Sequence, residues 1–272
     1  MKKIKVFSSL VFIPIIFFAG LTLITAIIML IVEGISGLSF DDFILTDFYT
    51  ITMIFSYLSA MCLAFLWTKK CIRGKTKPEA IHKSSVNIKI IFCSAIIGFS
   101  TGVSLTNIAI FLFPSVPCPG HIDVTGIVFL TFLSTVIIAP ITEELVYRKF
   151  IVDVAQANNL PLPIYFILSA LPFAMSHSLT NIVYLFVAFF AGVIYVLLYY
   201  KTKNIIYPII MHMANNLFAF FDGLNWYNSD FILEFIASNT FTYICYALSL
   251  LSIVLFLTLT SKKHCNSSKG VL

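Results

Sequence analysis

Long apolar runs separated by short polar stretches make up most of this chain, and they set its fold class before any single residue is considered. The runs fall at roughly 7–33, 48–67, 88–113, 124–141, 162–178, 180–200, 205–221 and 231–260, lengths suited to helices rising 1.5 Å per residue through a hydrocarbon core about 30 Å thick. In lipid every backbone N–H and C=O must find a partner within the protein. The runs are too long and too uniform for barrel strands, so they predict helices. The expectation is an all-α, polytopic membrane protein of about eight transmembrane helices, with any active site in a cavity of the helix bundle. The fifth run is the shortest: Pro161 and Pro163 mark its start, and Pro172 inside it should kink the helix. The first run, from about Val6 to Val32, is too long for a signal-peptide core and lacks a small-residue cleavage site, so it reads as a retained span.

Composition sharpens the picture. The chain is 60% hydrophobic and 11% charged, against about 45–50% and 25% in soluble domains, which leaves no soluble domain of useful size. Lysines and arginines gather before the first run, after the second (Lys69 to Lys89), after the fourth (Arg148, Lys149), after the sixth (Lys201, Lys203) and after the last, while acids such as Asp41, Asp42, Asp123 and Asp230 fall between the others. With eight spans all the basic clusters share one side, which the positive-inside rule makes cytoplasmic. The expected location is therefore the cell membrane, multi-pass, with both termini inside. The same sidedness explains the net charge of +5 without nucleic acid as a partner. Six scattered cysteines (Cys62, Cys71, Cys93, Cys118, Cys245 and Cys265) show neither a disulfide framework nor zinc-ligand spacing. Trp67 and Trp226 fall at predicted span ends, where interfacial anchors sit.

Against this background the informative residues are polar groups placed where charge is costly. Pro140-Ile-Thr142-Glu143-Glu144 reads as the start of a helix, with Thr142 as its cap and the acids in its first turn near the cytoplasmic end of the fourth span. Glu144 and Arg148 are four apart and share a face, whereas adjacent glutamates diverge by about 100°. That makes Glu143 the freer carboxylate and Glu144 the arginine's partner, with the reverse assignment open. Phe173 and His177, and His212 and Asn216, also stand four apart on later apolar helices. A carboxylate, two imidazoles and an amide donor are the parts needed to hydrolyse an amide with water. A carboxylate and two histidines could instead ligate a catalytic zinc, but HExxH is absent, so no metal or other cofactor is expected and zinc is the disfavoured rival.

Glu-Glu-x-x-x-Arg, Phe-x-x-x-His and His-x-x-x-Asn, in that order on hydrophobic helices, resemble the CPBP family of intramembrane proteases. That family includes the type II CAAX prenyl endopeptidases and the bacterial Abi proteins linked to bacteriocin processing and immunity. The resemblance covers about Val124 to Phe221. It divides the chain into N-terminal helices with a basic loop (1–123), a catalytic helical core (124–221) and a C-terminal helix and tail (222–272). It implies a metal-independent glutamic peptidase in which Glu143 activates water, His177 assists, His212 and Asn216 stabilise the oxyanion, and Glu144 and Arg148 hold the geometry. Phe173 is expected to contact the substrate, a membrane-associated or lipidated peptide or protein precursor. A non-catalytic bacteriocin-immunity or interaction protein, and a proton- or ion-coupled transporter, are the alternatives. No repeated halves or paired broken helices support the transporter.

Overall fold

The computed structural model describes residues 2–37, 39, 47–73, 86–116, 128–223 and 239–267. Among them the chain forms eight helices and no strand: α1 (Lys2–Ser36), α2 (Asp47–Ile72), α3 (Ile88–Leu112), α4 (Val128–Ala157), α5 (Leu162–His177), α6 (Ile182–Thr202), α7 (Ile206–Gly223) and α8 (Asn239–Ser267). Five of these, α1 to α4 and α6, are long and apolar enough to cross a membrane, and α5 and α7 are shorter apolar helices. The protein is thus an all-α polytopic membrane protein. Residues 231–238 of the expected eighth span, the middle of the basic loop after α2, and Trp226 lie outside the described residues.

With no water to drive apolar faces together, membrane helices associate through small residues and close packing. Helix α2 shows this plainly: Thr52, Ser56, Ala60, Ala64 and Thr68 recur every fourth residue and are all buried. Against that stripe lies α1, whose Leu10, Ile13 and Phe17 are buried while Phe12, Ile15, Phe18, Leu23 and Leu30 point outward. Hydrogen bonds fix the register: Thr25 Oγ1 donates to Ser56 Oγ at 3.0 Å, and Trp67 Nε1 donates to the Ser9 carbonyl at 3.1 Å. Trp67 is therefore held in the α1–α2 contact, with Phe12 beside it.

Two closer crossings shape the core. A Cβ added at Gly98 of α3 would collide with the Met211 carbonyl oxygen of α7, and one at Gly102 would collide with Asn215 Oδ1. On the other side of the core, Gly192 of α6 would place a Cβ 3.2 Å from Ala170 Cα and from Phe173 Cδ1 of α5. Helix α8 packs on the outside of α3, where Ser249 Oγ donates to Ser100 Oγ at 2.7 Å. Asparagines cap two of the core helices. Asn87 Oδ1 accepts from Lys89 N at the start of α3, and Asn181 Oδ1 accepts from Val183 N and Tyr184 N at the start of α6.

Helix α4 corrects the sequence reading. The fourth span does not end near residue 141, and Thr142 does not cap a new helix. Thr142 Oγ1 instead donates back to the Ile138 and Ala139 carbonyls in mid-helix. The helix runs on to Ala157, with wide π turns at Leu133–Ile138 and Glu144–Phe150. Pro140 has no N–H to give, and its ring crowds the carbonyl four residues earlier. The preceding turn widens, with Ala139 N–H donating to the Ser134 carbonyl five residues back. The helix passes through its proline without breaking, as the membrane requires.

Candidate active site

Because α4 is continuous, Glu143 lies near its midpoint and not at its basic end. Fourteen residues separate it from Ala157, about 21 Å of helix. The basic end is tied elsewhere. Lys149 Nζ pairs with Asp153 Oδ2 at 2.7 Å, and Tyr199 Oη of α6 donates to Asp153 Oδ1 at 3.1 Å.

Glu144 and Arg148 turn toward the bundle interior, and both are fully buried. Arg148 Nη1 stands 3.0 Å from Glu144 Oε1, close enough for an ion pair although its N–H is not aligned as a hydrogen bond. The guanidinium carbon is 4.1 Å from the centroid of Phe173 and 5.0 Å from that of Tyr195, so the arginine also rests on aromatic faces. The same Glu144 oxygen receives His212 Nδ1 at 2.9 Å. One carboxylate thereby fixes both a cation on its own helix and an imidazole on α7. The number of protons on this pair governs what His212 can do. With one, held between Nδ1 and Glu144, Nε2 is an acceptor; with a second on the ring, Nε2–H is a donor.

Glu143 points the other way, as adjacent helical positions require. Its Oε2 lies 3.9 Å from Nε2 of His177 and 3.9 Å from Nε2 of His212. This oxygen is buried and has no hydrogen-bond partner among the described residues. His177 Nδ1 lies 2.8 Å from the Phe173 carbonyl, which can only accept, so Nδ1 carries the proton and a neutral ring presents the Nε2 lone pair to Glu143. His177 is the accessible member, with its side chain 30% exposed against 10% for Glu143 and 3% for His212. It ends α5 at the far side of the helix from the Lys149–Asp153 end.

The remaining expected residues divide. Phe173 does not line a surface that a substrate could reach. It is 2% exposed and enclosed by His177, His212, Tyr147 and Tyr195 (centroids 4.4, 5.5, 5.5 and 6.2 Å), with Arg148 over its face. It packs between the two imidazoles and the guanidinium. Asn216 lies one turn beyond His212 on α7. Its Nδ2 donates to the Thr135 carbonyl at 2.9 Å, which uses one of the two amide hydrogens. That bond ties α7 to the part of α4 before Pro140.

Four residues near the site carried no weight in the sequence reading. Tyr57 Oη of α2 donates to Glu143 Oε1 at 3.3 Å. Tyr195 stacks on His212 at 5.1 Å. Gly98 and Gly102 set the approach of α7, and their Gly-x-x-x-Gly spacing was the available signal for that crossing.

Glu143, His177 and His212 offer ligand atoms that all lie within 4.8 Å of one another, so this trio could hold a metal ion. Atoms bound tetrahedrally to zinc at about 2.0–2.1 Å stand about 3.4 Å apart. The two 3.9 Å separations would then have to close by about half an ångström, and the two imidazole ligand atoms, which lie within 4.8 Å of each other, would have to reach the same spacing.

Compared with known proteins, residues 125–218 match the family model for type II CAAX prenyl endopeptidase Rce1-like proteins. The match agrees with the resemblance carried by the three motifs and spans α4 to most of α7. At the level of that family it supports a CAAX-type intramembrane protease. No curated protein and no solved structure matches the chain.

Proposed function

We propose that this protein is an intramembrane glutamic endopeptidase that cleaves a membrane-associated or lipidated peptide or protein precursor. The observation that carries the reading is the Glu143 Oε2 atom, buried, unpaired and equidistant from two imidazole nitrogens. A water in that gap donates to Glu143 and is oriented by His177. As its oxygen bonds to the scissile carbonyl carbon, its proton passes to Glu143. The carbonyl oxygen becomes an oxyanion that accepts from His212 Nε2–H, in the form where the Glu144–His212 pair carries two protons, and from the second Asn216 amide hydrogen. Collapse breaks the C–N bond and returns the proton from Glu143 to the leaving amine. Glu144 and Arg148 keep His212 in place throughout. The substrate reaches the site past His177. The chain sits in the cell membrane with both termini cytoplasmic.

The test is cleavage of a membrane-tethered, quenched-fluorescent peptide library by detergent-purified protein, wild type beside Glu143→Ala, each with and without a chelator. Cleavage that needs Glu143 and survives chelation supports the reading. Chelator-sensitive cleavage moves the mechanism to a metal held by the same trio. Normal cleavage by Glu143→Ala overturns it.

A further inference from the structure

The residues matched by the family model end short of one contact to the reacting carboxylate. Tyr57 belongs to α2, 86 positions before Glu143 in sequence, and its hydroxyl donates to Glu143 Oε1 at 3.3 Å. The two oxygens of Glu143 therefore have different surroundings: Oε1 meets a phenol, and Oε2 faces the two imidazoles. A carboxylate on a flexible side chain swings readily, and a base works only while its oxygen is within reach of the proton it takes. An anchor on one oxygen restricts that swing and keeps the other oxygen aimed.

The phenol is itself braced. The Tyr57 ring packs against Phe17 of α1 at 6.2 Å, and Phe17 meets Tyr147 of α4 edge-on at 5.8 Å. Tyr147 is four residues after Glu143 on the same helix, so the aromatic chain loops from α4 through α1 and α2 back to the carboxylate.

We infer that Tyr57 is a positioning residue for Glu143, which makes α1 and α2 part of the catalytic unit and not merely its membrane wrapping. The inference rests on the peptidase reading for its effect on rate, but not for its geometry. A bond of 3.3 Å is long for a hydroxyl donor, so the anchor is soft and the expected effect is a modest one.

Tyr57→Phe removes the hydroxyl and keeps the ring on Phe17. Relative to wild type, kcat on the peptide cleaved by wild type falls about tenfold, equivalent to about 1.4 kcal/mol, while KM and the thermal midpoint stay unchanged. A purely structural tyrosine would leave kcat alone. A second readout needs no turnover: labelling of Glu143 by dicyclohexylcarbodiimide, which attacks protonated carboxyls in apolar surroundings, followed by peptide mapping. Loss of the phenol leaves the carboxyl free to swing toward the reagent, so labelling of Glu143 rises severalfold in Tyr57→Phe. Wild-type kcat in Tyr57→Phe, or labelling equal to wild type, overturns the inference. If Glu143→Ala cleaves normally, the peptidase reading fails on its own and the labelling still decides the contact. If Glu143 is required and Tyr57→Phe turns over like wild type, only the role of Tyr57 fails.

Discussion

One turn of α4 has a sealed side and an open side. On the sealed side Glu144 and Arg148 are fully buried, fastened to His212 and bedded on Phe173 and Tyr195. On the open side Glu143 has one oxygen without a hydrogen-bond partner and the accessible imidazole of His177 beside it. The two glutamates are adjacent in sequence and chemically identical, so the contrast comes from direction alone. Charge that is fully enclosed and paired holds structure, because removing either partner strands the other in a medium that cannot solvate it. A carboxylate oxygen left without a hydrogen-bond partner beside an accessible imidazole is free to take and return a proton.

Mutations can break this contrast or sharpen it. The largest expected effect is Glu143→Ala, which lowers cleavage by about 10²–10⁴-fold, the range for loss of a general base, without lowering the thermal midpoint. Equal loss of stability and activity would put Glu143 on the sealed side. Arg148→Ala should do the reverse. It leaves Glu144 buried with an uncompensated charge and destabilises the folded protein by about 3–5 kcal/mol, read as a drop in thermal midpoint in detergent that outweighs the loss of specific activity in the protein that stays folded. Gly98→Ala is intermediate. A Cβ there meets the Met211 backbone, and forcing α7 outward costs about 1–3 kcal/mol. Because α7 also carries His212, cleavage should fall in the protein that remains folded, which a specific-activity measurement would detect. The smallest effect is Lys149→Ala. Its pair with Asp153 is partly exposed and contributes about 0–1 kcal/mol, so midpoint and kcat should both stay close to wild type.

How much of this was legible beforehand depends on distance along the chain. Pairs four apart, such as Glu144 with Arg148 or Phe173 with His177, declare a shared helix face through spacing alone, and the divergence of Glu143 from Glu144 follows from the same geometry. The apolar runs announced the helices for an equally simple reason, the length a bilayer demands. Other features were not available in this way. Thr142 before two acids has the pattern of a cap, yet the wide turns around Pro140 carry the helix straight through it. A helix continued in lipid and a helix begun in water can share one local sequence. Phe173 showed its face but not what covers it, since burial depends on α6 and α7. The reach of Tyr57 to Glu143 crosses 86 positions, and no periodicity links residues so far apart.

The two wide turns in α4 also bear on how relatives of this chain are compared. Each π turn holds one residue more than the α turn it replaces, so removing a single residue from Leu133–Ile138 would turn it back into an α turn and keep the residues before it in phase with Glu143. An alignment that forbids gaps inside helices would then slide Thr135, and the Asn216 bond it accepts, out of step with the glutamates. Correspondence along this helix is kept by phase, not by count.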